Sequence, residues 1–286
     1  MEIGALYKEA CATLFKKFQN KEEASLEAYV LVSFVAKKDK SFILTYPEYQ
    51  VSDDEFELVK KYVMMRIDGT PIAYITGERE FWSMNLKVTK DTLIPRPDTE
   101  TLVEQALRKR NNIDVKDNKL RILDMGTGTG AIALALKSEF KSAHVDAIDY
   151  SEAALKVAKE NAKNLHLDVN FMYSDWYDSL KEQHQYHLIV SNPPYICEGD
   201  PHLSIGDVRF EPMSALVAPM QGLRDILIII RDASKFLCDG GYLLIEHGYR
   251  QGSDVRSLMI SAGFVEVETC RDLGNNERVT LGRYIK

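Results

Sequence analysis

One short stretch limits the folds open to this chain more than any other. Ile122-Leu123-Asp124-Met125-Gly126-Thr127-Gly128-Thr129-Gly130 runs from an apolar strand pattern into glycines, and Ala131 opens a helical pattern. A strand that ends in glycines and re-enters as a helix needs a backbone free to turn sharply and open to a ligand's approach. The surrounding pattern agrees. Strand signals over 121–124, 144–149, 169–173, 187–191, 242–246, 265–270 and 278–284 alternate with helix signals over 99–110, 131–140, 151–165, 225–236 and 251–262. That alternation predicts a mostly parallel sheet with helices on both faces. In such sheets ligands bind beyond the carboxyl ends of the strands, at the switch point.

The glycine turn predicts a nucleoside ligand. Asp149 closes the strand after the turn, in the place where a carboxylate accepts both ribose hydroxyls. Gly126, Gly128 and Ala131 fit the dinucleotide fingerprint. Asp124, Gly126, Gly128 and Gly130 fit the methyltransferase pattern Asp-x-Gly-x-Gly-x-Gly equally well. Thr127 and Thr129 fall between them as further cofactor-loop candidates. A bare turn with no ligand is disfavoured, because Asp124, three glycines and Asp149 fall in register.

A second signal breaks the tie. A buried-strand pattern ends in Asn192-Pro193-Pro194-Tyr195. Asn-Pro is an ordinary turn former, but each residue here also has a chemical use. A planar NH2 group is a poor nucleophile, since its lone pair is delocalised. Both its N–H groups need acceptors, and its nitrogen must be aimed along the S–CH3 axis of a methyl donor. Asn192 can offer its side-chain carbonyl, and Pro193 its backbone carbonyl, held extended by Pro194. Tyr195 can stack on the flat acceptor. Catalysis would then be mostly positioning and electrostatics. Ser174-Asp175-Trp176 follows another strand, where Trp176 can cover an adenine face and Asp175 can accept from its amino group.

The rest of the chain reads as scaffold. Residues 1–78 are predicted to form a small helical domain. Asn20 with Glu23 and Ser52 with Glu55 are capping-box patterns. Leu26, Tyr29, Val30 and Phe34 recur at helical spacing, as do Phe56, Val59, Tyr62, Val63 and Ile67. Gly69 and Pro71 stop that last helix, and a further helix is expected over 6–18. Residues 79–97 are predicted as a hairpin connector, with strands over 81–88 and 92–94 turning at 89–91 and ended by Pro95-Arg96-Pro97. Residues 98–286 form the larger domain. The connection 196–224 is long, which favours a functional loop. Arg209 and Glu211 are expected to form an ion pair that holds it, beside Asp200 and His202. Glu246-His247 ends a strand and is expected to carry a satisfied structural histidine.

Composition excludes other classes. The 286 residues are 45% hydrophobic and 28% charged, as in a soluble globular protein, and their length suggests roughly two domains. The net charge of −7 makes nucleic acid a poorer partner. Cys11, Cys197, Cys238 and Cys270 are scattered, so neither a zinc site nor a disulfide framework is expected. His184 and His187 stand three apart with no second pair, and are read as loop and strand residues. The aliphatic run 226–230 is too short to span a bilayer. Met-Glu-Ile-Gly-Ala lacks signal-peptide character, so a cytoplasmic protein is expected.

These residues together resemble a known family. The 124–130 turn, Asn192-Pro193-Pro194-Tyr195, Pro71-Ile72-Ala73-Tyr74-Ile75-Thr76-Gly77 and Leu93-Ile94-Pro95-Arg96-Pro97-Asp98-Thr99-Glu100 resemble the HemK/PrmC family. Asp207-Val208-Arg209-Phe210-Glu211-Pro212 and Asn276-Glu277-Arg278-Val279-Thr280-Leu281-Gly282-Arg283-Tyr284 are similar to it too. The resemblance spans nearly the whole chain. Its members are N5-glutamine methyltransferases that modify class I peptide chain release factors, the proteins of translation termination. It implies a Rossmann-like, seven-stranded class I methyltransferase domain with a helical N-terminal domain and a connecting β-hairpin. It implies S-adenosyl-L-methionine held by residues 126–130, Asp149, Trp176 and Asn192. It implies that Asn192, Pro193, Pro194 and Tyr195 receive the glutamine of a Gly-Gly-Gln loop, and that the helical domain helps dock the factor. His187 stands where the family pattern has an acidic residue, at the end of its strand far from the site.

Two other activities compete. An adenine-N6 methyltransferase shares the acceptor chemistry, with the −7 charge against it. An NAD-dependent oxidoreductase would use the glycine turn but leave Asn192–Pro193–Pro194–Tyr195 without a role. A non-catalytic binding module on the same fold is a third reading, disfavoured by the intact Asp124, Asp149 and Asn192.

Overall fold

The computed structural model describes residues 1–115, 120–181 and 185–286; His184 lies outside them. The chain divides into two compact units. One is Met1–Glu78 with Ser204–Phe210, the other Arg79–Leu203 with Glu211–Lys286.

The first unit is built from α1 (Ile3–Phe18), α2 (Lys21–Ala36), α3 (Lys40–Thr45), α4 (Asp53–Ile67) and α5 (Ile72–Thr76). Ser52 and Glu55 form the reciprocal capping box ahead of α4. At α2, the Asn20 side chain accepts from the Glu22 and Glu23 N–H groups. The apolar face expected for α2 is corrected. Leu26 is 60% and Val30 37% exposed, whereas Ala24, Ala28, Leu31 and Val32 are fully buried. Two alanines on the inner face allow close helix approach, and Tyr7 stacks on Tyr29 at 3.9 Å between ring centroids.

Ser204–Phe210 is held within this unit by a buried arginine. Arg66 on α4 binds both Glu27 carboxylate oxygens at 2.9–3.0 Å through Nε and reaches Asp207 Oδ1 at 2.8 Å through a second nitrogen. The Phe18 ring lies 4.9 Å under the guanidinium. Bidentate geometry and the second carboxylate offset the cost of burying the charge.

A hairpin of β1 (Glu78–Phe81) and β2 (Met84–Lys87) follows. Its position corrects the expected one. The chain turns at Trp82-Ser83, and 92–94 is not a strand. Both turn residues have positive φ, 52° and 57°, as a type I′ hairpin turn requires. Neither is a residue that favours this region, and tertiary partners hold them there. The Trp82 N–H donates to Glu100 at 2.9 Å, its indole N–H to Glu139 at 2.8 Å, and the Ser83 N–H to Glu80 at 2.7 Å.

The larger unit continues through α6 (Glu100–Arg110), β3 (Arg121–Met125), α7 (Ala131–Glu139), β4 (His144–Asp149), α8 (Glu152–Leu165), β5 (Asn170–Tyr173) and β6 (Tyr186–Ser191). A single turn, α9 (Pro219–Gly222), precedes α10 (Arg224–Ala233), β7 (Leu237–Glu246), α11 (Gly252–Ser261), β8 (Val265–Arg271) and β9 (Glu277–Arg283). The seven strands β3–β9 form one sheet in the order β5-β4-β3-β6-β7-β9-β8. β5, β4, β3, β6 and β7 are parallel, and β9 runs antiparallel to both neighbours. β7 begins five residues before the predicted 242, because polar Asp239 and two glycines hide its first half. Alternate strand residues feed two cores. Ile122, Leu188, Val190 and Leu244 enter one, and Leu123, Met125, Ile189, Leu243 and Ile245 the other. This is the period of two expected of a sheet covered on both faces. Among the described residues, no helix is long and apolar enough to cross a membrane.

Candidate active site

Register brings the two sequence signals together. Met125, the last residue of β3, pairs with Ile148 on β4 and with Ser191 on β6. Ser191 in turn pairs with Ile245 on β7, and Asp149 with Tyr173 on β5. Gly126, Asp149, Asn192 and Glu246 therefore emerge side by side at the carboxyl edge, where strand order reverses beside β3. The buried Ser191 hydroxyl donates to the Met125 carbonyl at 2.8 Å and ties the two strand ends together.

The glycine turn directs its N–H donors inward. Gly126 and Thr127 both donate to the Ile148 carbonyl at 2.9 Å, and Gly130 donates to Thr127 at 2.8 Å. Gly128 donates to Asp149 Oδ2 at 2.8 Å, and Ala133 to Asp124 Oδ2 at 3.1 Å. Gly126, Gly128 and Gly130 all have positive φ, so side chains at these positions would be strained. A pyrophosphate needs free N–H groups at such a turn, and those of Gly126, Thr127, Gly128 and Gly130 are already taken by the protein.

The cavity over the turn, of about 230 Å³, is acidic. Asp91, Asp149, Asp175 and Asp225 line it with Gly126, Gly128, Trp176, Asn192 and Pro194; no lysine or arginine does among the described residues. A dinucleotide's phosphates would be repelled there. S-adenosylmethionine carries a sulfonium, an ammonium and no phosphate, and it fits this lining. The Trp176 ring lies about 3.8 Å from where a Gly126 Cβ would stand. Asp149 also accepts the Ser151 N–H at 2.8 Å. Burial pushes its carboxyl above the ordinary range, opposed by the N–H groups of Ser151, Gly128 and Tyr150.

Asp124 lies beneath the turn, fully buried. Its Oδ2 accepts the Thr127 hydroxyl at 2.6 Å, while its Oδ1 has no partner among the described residues. Burial raises its pKa from 3.8 to about 7. An unpartnered buried carboxylate oxygen suits the cationic amino-acid end of the methyl donor.

Asn192 stands in the cavity wall, and its Nδ2 donates to Thr99 Oγ1 at 3.3 Å. Pro193 is buried behind it, and Pro194 lines the cavity. Tyr195 turns its hydroxyl away from the cavity lining, to Glu246 Oε1 at 3.4 Å. Its backbone carbonyl accepts from Gln251 at 3.1 Å and packs on Gly222, where a Cβ would come within 2.0 Å of it. Only glycine tolerates that approach.

Comparison with known proteins agrees with this geometry. Residues 100–211 match the model of the methyltransferase small domain, and residues 9–77 that of the PrmC N-terminal domain. The chain is 48% identical over 285 residues to the release factor glutamine methyltransferase of Escherichia coli, covering 99% of each. The chain belongs to the release factor glutamine methyltransferase family. The Aliivibrio fischeri family member is 44% identical over 286 residues, covering 100% of this chain and 98% of that one. The Vibrio cholerae member is 48% identical over 264 residues, covering 92% and 91%. Two solved structures share the fold at low identity. A methyltransferase from Pyrococcus furiosus has a TM-score of 0.53 at 15% identity, covering 71% of this chain and 90% of its own. The hMettl16 catalytic domain has a TM-score of 0.55 at 14% identity, covering 82% of each.

The long connection of this family member departs from expectation. The ion pair found for Glu211 among the described residues is with Arg96 and not with the expected Arg209. The buried Glu211 carboxylate accepts the Ile94 N–H at 2.9 Å and binds the Arg96 guanidinium. Arg209 lies against Gly69 and Phe210 in the helical unit. Sequence neighbours two apart lost to residues distant in the chain, because Ile94 offers a buried N–H that needs an acceptor. Asp200 and His202 bind each other at 2.7 Å on the surface. His247 is a satisfied buried histidine, with ring nitrogens 2.9 Å from Gly248 O and 2.8 Å from Thr280 Oγ1. His187 Nδ1 accepts the Arg121 N–H at 3.0 Å at the opposite end of β6.

Sequence reasoning missed Thr99 and Asn161. Asn161 on α8 is buried and binds both the Lys87 backbone and the Thr129 carbonyl of the glycine turn. Its signal was a lone polar residue on an otherwise apolar helical stripe.

Proposed function

We infer that this enzyme transfers a methyl group from S-adenosylmethionine to the side-chain amide N5 of a glutamine in a peptide chain release factor. The glutamine is that of the Gly-Gly-Gln loop of class I factors, and the compartment is the cytoplasm, where translation ends. The observation that carries the reading is that Asn192 and Pro194 share one acidic cavity with Gly126, Gly128, Asp149 and Trp176.

In this reading Asp149 accepts the ribose hydroxyls, Trp176 covers the adenine and Asp175 accepts from its amino group. Gly126–Thr127–Gly128–Thr129–Gly130 shape the wall, and Asp124 Oδ1 balances the ammonium. The Asn192 side-chain carbonyl and the Pro193 backbone carbonyl accept the two amide N–H groups. Holding both stops rotation about the C–N bond and aims the nitrogen at the methyl carbon. Pro194 and Tyr195 confine the flat acceptor. S-adenosylmethionine, when bound, supplies a sulfonium-activated methyl group whose C–S bond breaks, with its electron pair left on sulfur, as the C–N bond forms. The amide proton becomes acidic only then and leaves to water, so no side chain need remove it first. The helical unit docks the factor, and no nucleic acid is contacted directly.

The test is methyl transfer from labelled S-adenosylmethionine to a purified release factor, to the factor with its Gly-Gly-Gln glutamine replaced by alanine, and to DNA. Label on the intact factor alone is expected. Equal label on both factors, or label on DNA, would overturn the assignment.

A further inference from the structure

Two prolines in succession leave the acceptor turn short of donors. Pro193 and Pro194 have no N–H with which to tie themselves to the backbone around them. Their locked φ angles also make the turn stiff. It moves as a unit, so its two ends decide where the Asn192 side chain and the Pro193 carbonyl point. The leading end is fixed at Ser191, by its β6 pairing and by its hydroxyl bond to Met125. The trailing end is Tyr195.

A side chain just ahead of α11 grips that end. The Gln251 amide meets three segments at once. Its Oε1 accepts the Gly248 N–H at 2.8 Å. Its Nε2 donates to the Tyr195 carbonyl at 3.1 Å and to the Gln221 carbonyl at 3.0 Å. The amide can face only one way, because an N–H donates and the two carbonyls accept. The backbone N–H of Gln251 returns a bond to the Gly248 carbonyl at 2.9 Å, so the side chain is anchored at its own base.

The segment that receives the second of these donors is strained. Met220, Gln221 and Gly222 have φ of 55°, 57° and 81°. Left-handed backbone costs a residue with a Cβ free energy and persists where the surroundings impose it. Met220 is 61% exposed and Gln221 is exposed as well, so burial of these side chains does not impose it. What the run delivers is the Gln221 carbonyl to Gln251 and the Gly222 backbone to the Tyr195 carbonyl. A Cβ at Gly222 would collide with that carbonyl and stand 2.8 Å from Gln251 Nε2. Ile196, the next residue, donates to Leu216 at 2.9 Å and accepts from Ala218 at 3.0 Å, which joins one loop to another. Gln251 joins both loops to the start of α11, whose Val255 and Met259 are fully buried.

We infer that Gln251 is a positioning residue for methyl transfer: it pins the trailing end of the Asn192–Tyr195 turn and so fixes the direction of the two groups that grip the substrate amide. With that end released, the stiff turn swings about Ser191, and the nitrogen is no longer held on the line to the methyl carbon. Gln251 lies outside the lining of the cofactor cavity, so its loss leaves cofactor binding in place. The inference rests on the reading that the Asn192 and Pro193 carbonyls accept the glutamine amide.

The test is single-turnover methyl transfer from S-adenosylmethionine to a release factor, with the factor concentration varied. The proteins are wild type, Gln251→Met, Gln251→Glu, Asn192→Ala and the double variant Asn192→Ala with Gln251→Met. Gln251→Met keeps the length of the side chain and removes all three bonds. Gln251→Glu keeps the acceptor for Gly248 and turns the donor into an acceptor facing two carbonyls. Calorimetry with S-adenosylhomocysteine reports an intact cofactor site. Both single Gln251 variants are expected to slow transfer at saturation about tenfold, with cofactor affinity within about twofold and the half-saturating factor concentration within about threefold. The Gln251→Met change is expected to cost a smaller factor in the Asn192→Ala background than in wild type, because the two residues act through one grip. A merely structural role would cost the same factor in both backgrounds, and that result would overturn the inference. So would full-rate transfer by a folded Gln251 variant. Should one of the two Gln251 variants fail to fold, the other decides alone. If Asn192→Ala transfers at full rate, the acceptor reading itself fails. If it collapses while both Gln251 variants keep the wild-type rate, only the present inference is lost.

Discussion

Asn161 offers the sharpest test of how the methyl-donor loop is held. It sits on α8 among Ala154, Leu155, Val157, Ala158 and Ala162, 1% exposed. Its Oδ1 accepts the Lys87 N–H at 2.7 Å, and its Nδ2 donates to the Lys87 carbonyl at 3.0 Å and to the Thr129 carbonyl at 2.9 Å. Asn161→Ala removes all three bonds. Thr129 is only 3% exposed, so its carbonyl is left buried and unpaired, at about 1–3 kcal/mol. Lys87 is exposed, so water replaces its two bonds, and each loss is about 0.5 kcal/mol. The total is about 2–4 kcal/mol, which in a unit of this size lowers Tm by roughly 5–15 °C. Asn161→Asp should be worse, because it turns both donors into an acceptor facing two carbonyl oxygens. Thermal unfolding followed by circular dichroism measures both. A drop under about 2 °C for Asn161→Ala, or an Asn161→Asp variant more stable than Asn161→Ala, would refute the argument.

Three further outcomes follow from the same geometry. Asp149→Ala should weaken S-adenosylhomocysteine binding by about tenfold to a hundredfold, through loss of charge-assisted hydrogen bonds; unchanged affinity by calorimetry removes Asp149 from the site. Asp124→Asn should change the pH dependence of stability. The native carboxyl holds its proton up to about pH 7, while the unfolded chain releases it near 3.8, so wild-type stability from this group falls as pH rises between those values. The variant should therefore gain on wild type above about pH 7, with the gap closing toward pH 4, and bind cofactor more weakly; parallel stability profiles would contradict this. Glu211→Ala leaves the Ile94 N–H without its acceptor and removes the Arg96 partner. It should cost about 2–4 kcal/mol by urea unfolding, and Glu211→Gln, which keeps an acceptor, should cost less.

What the chain made legible on its own was local. The strand, three glycines and helix of residues 121–139, the Asn-Pro-Pro-Tyr turn and the Ser52–Glu55 box depend on neighbours a few residues away. Side-chain period, proline φ and glycine freedom act at that range, so they can be read without the fold. Asp149 was legible for the same reason, as the end residue of the next strand. Asn192 and Asp124 were legible as chemistry, but not their surroundings.

Tertiary structure decided everything that turns on a partner distant in the chain. The hairpin turns at Trp82-Ser83 because Glu100 and Glu139 hold a conformation those residues do not seek. α2 buries its alanines and leaves Leu26 and Val30 in water, because close packing against α1 favours small residues. Glu211 serves Ile94 and Arg96, since a buried N–H costs more to leave unpaired than a surface arginine. The alignment of Asn192, Thr99, Tyr195 and Glu246 belongs here too. It exists only because β7 runs parallel beside β6 and α6 begins behind them, and no spacing along one strand encodes which strand will lie next to it.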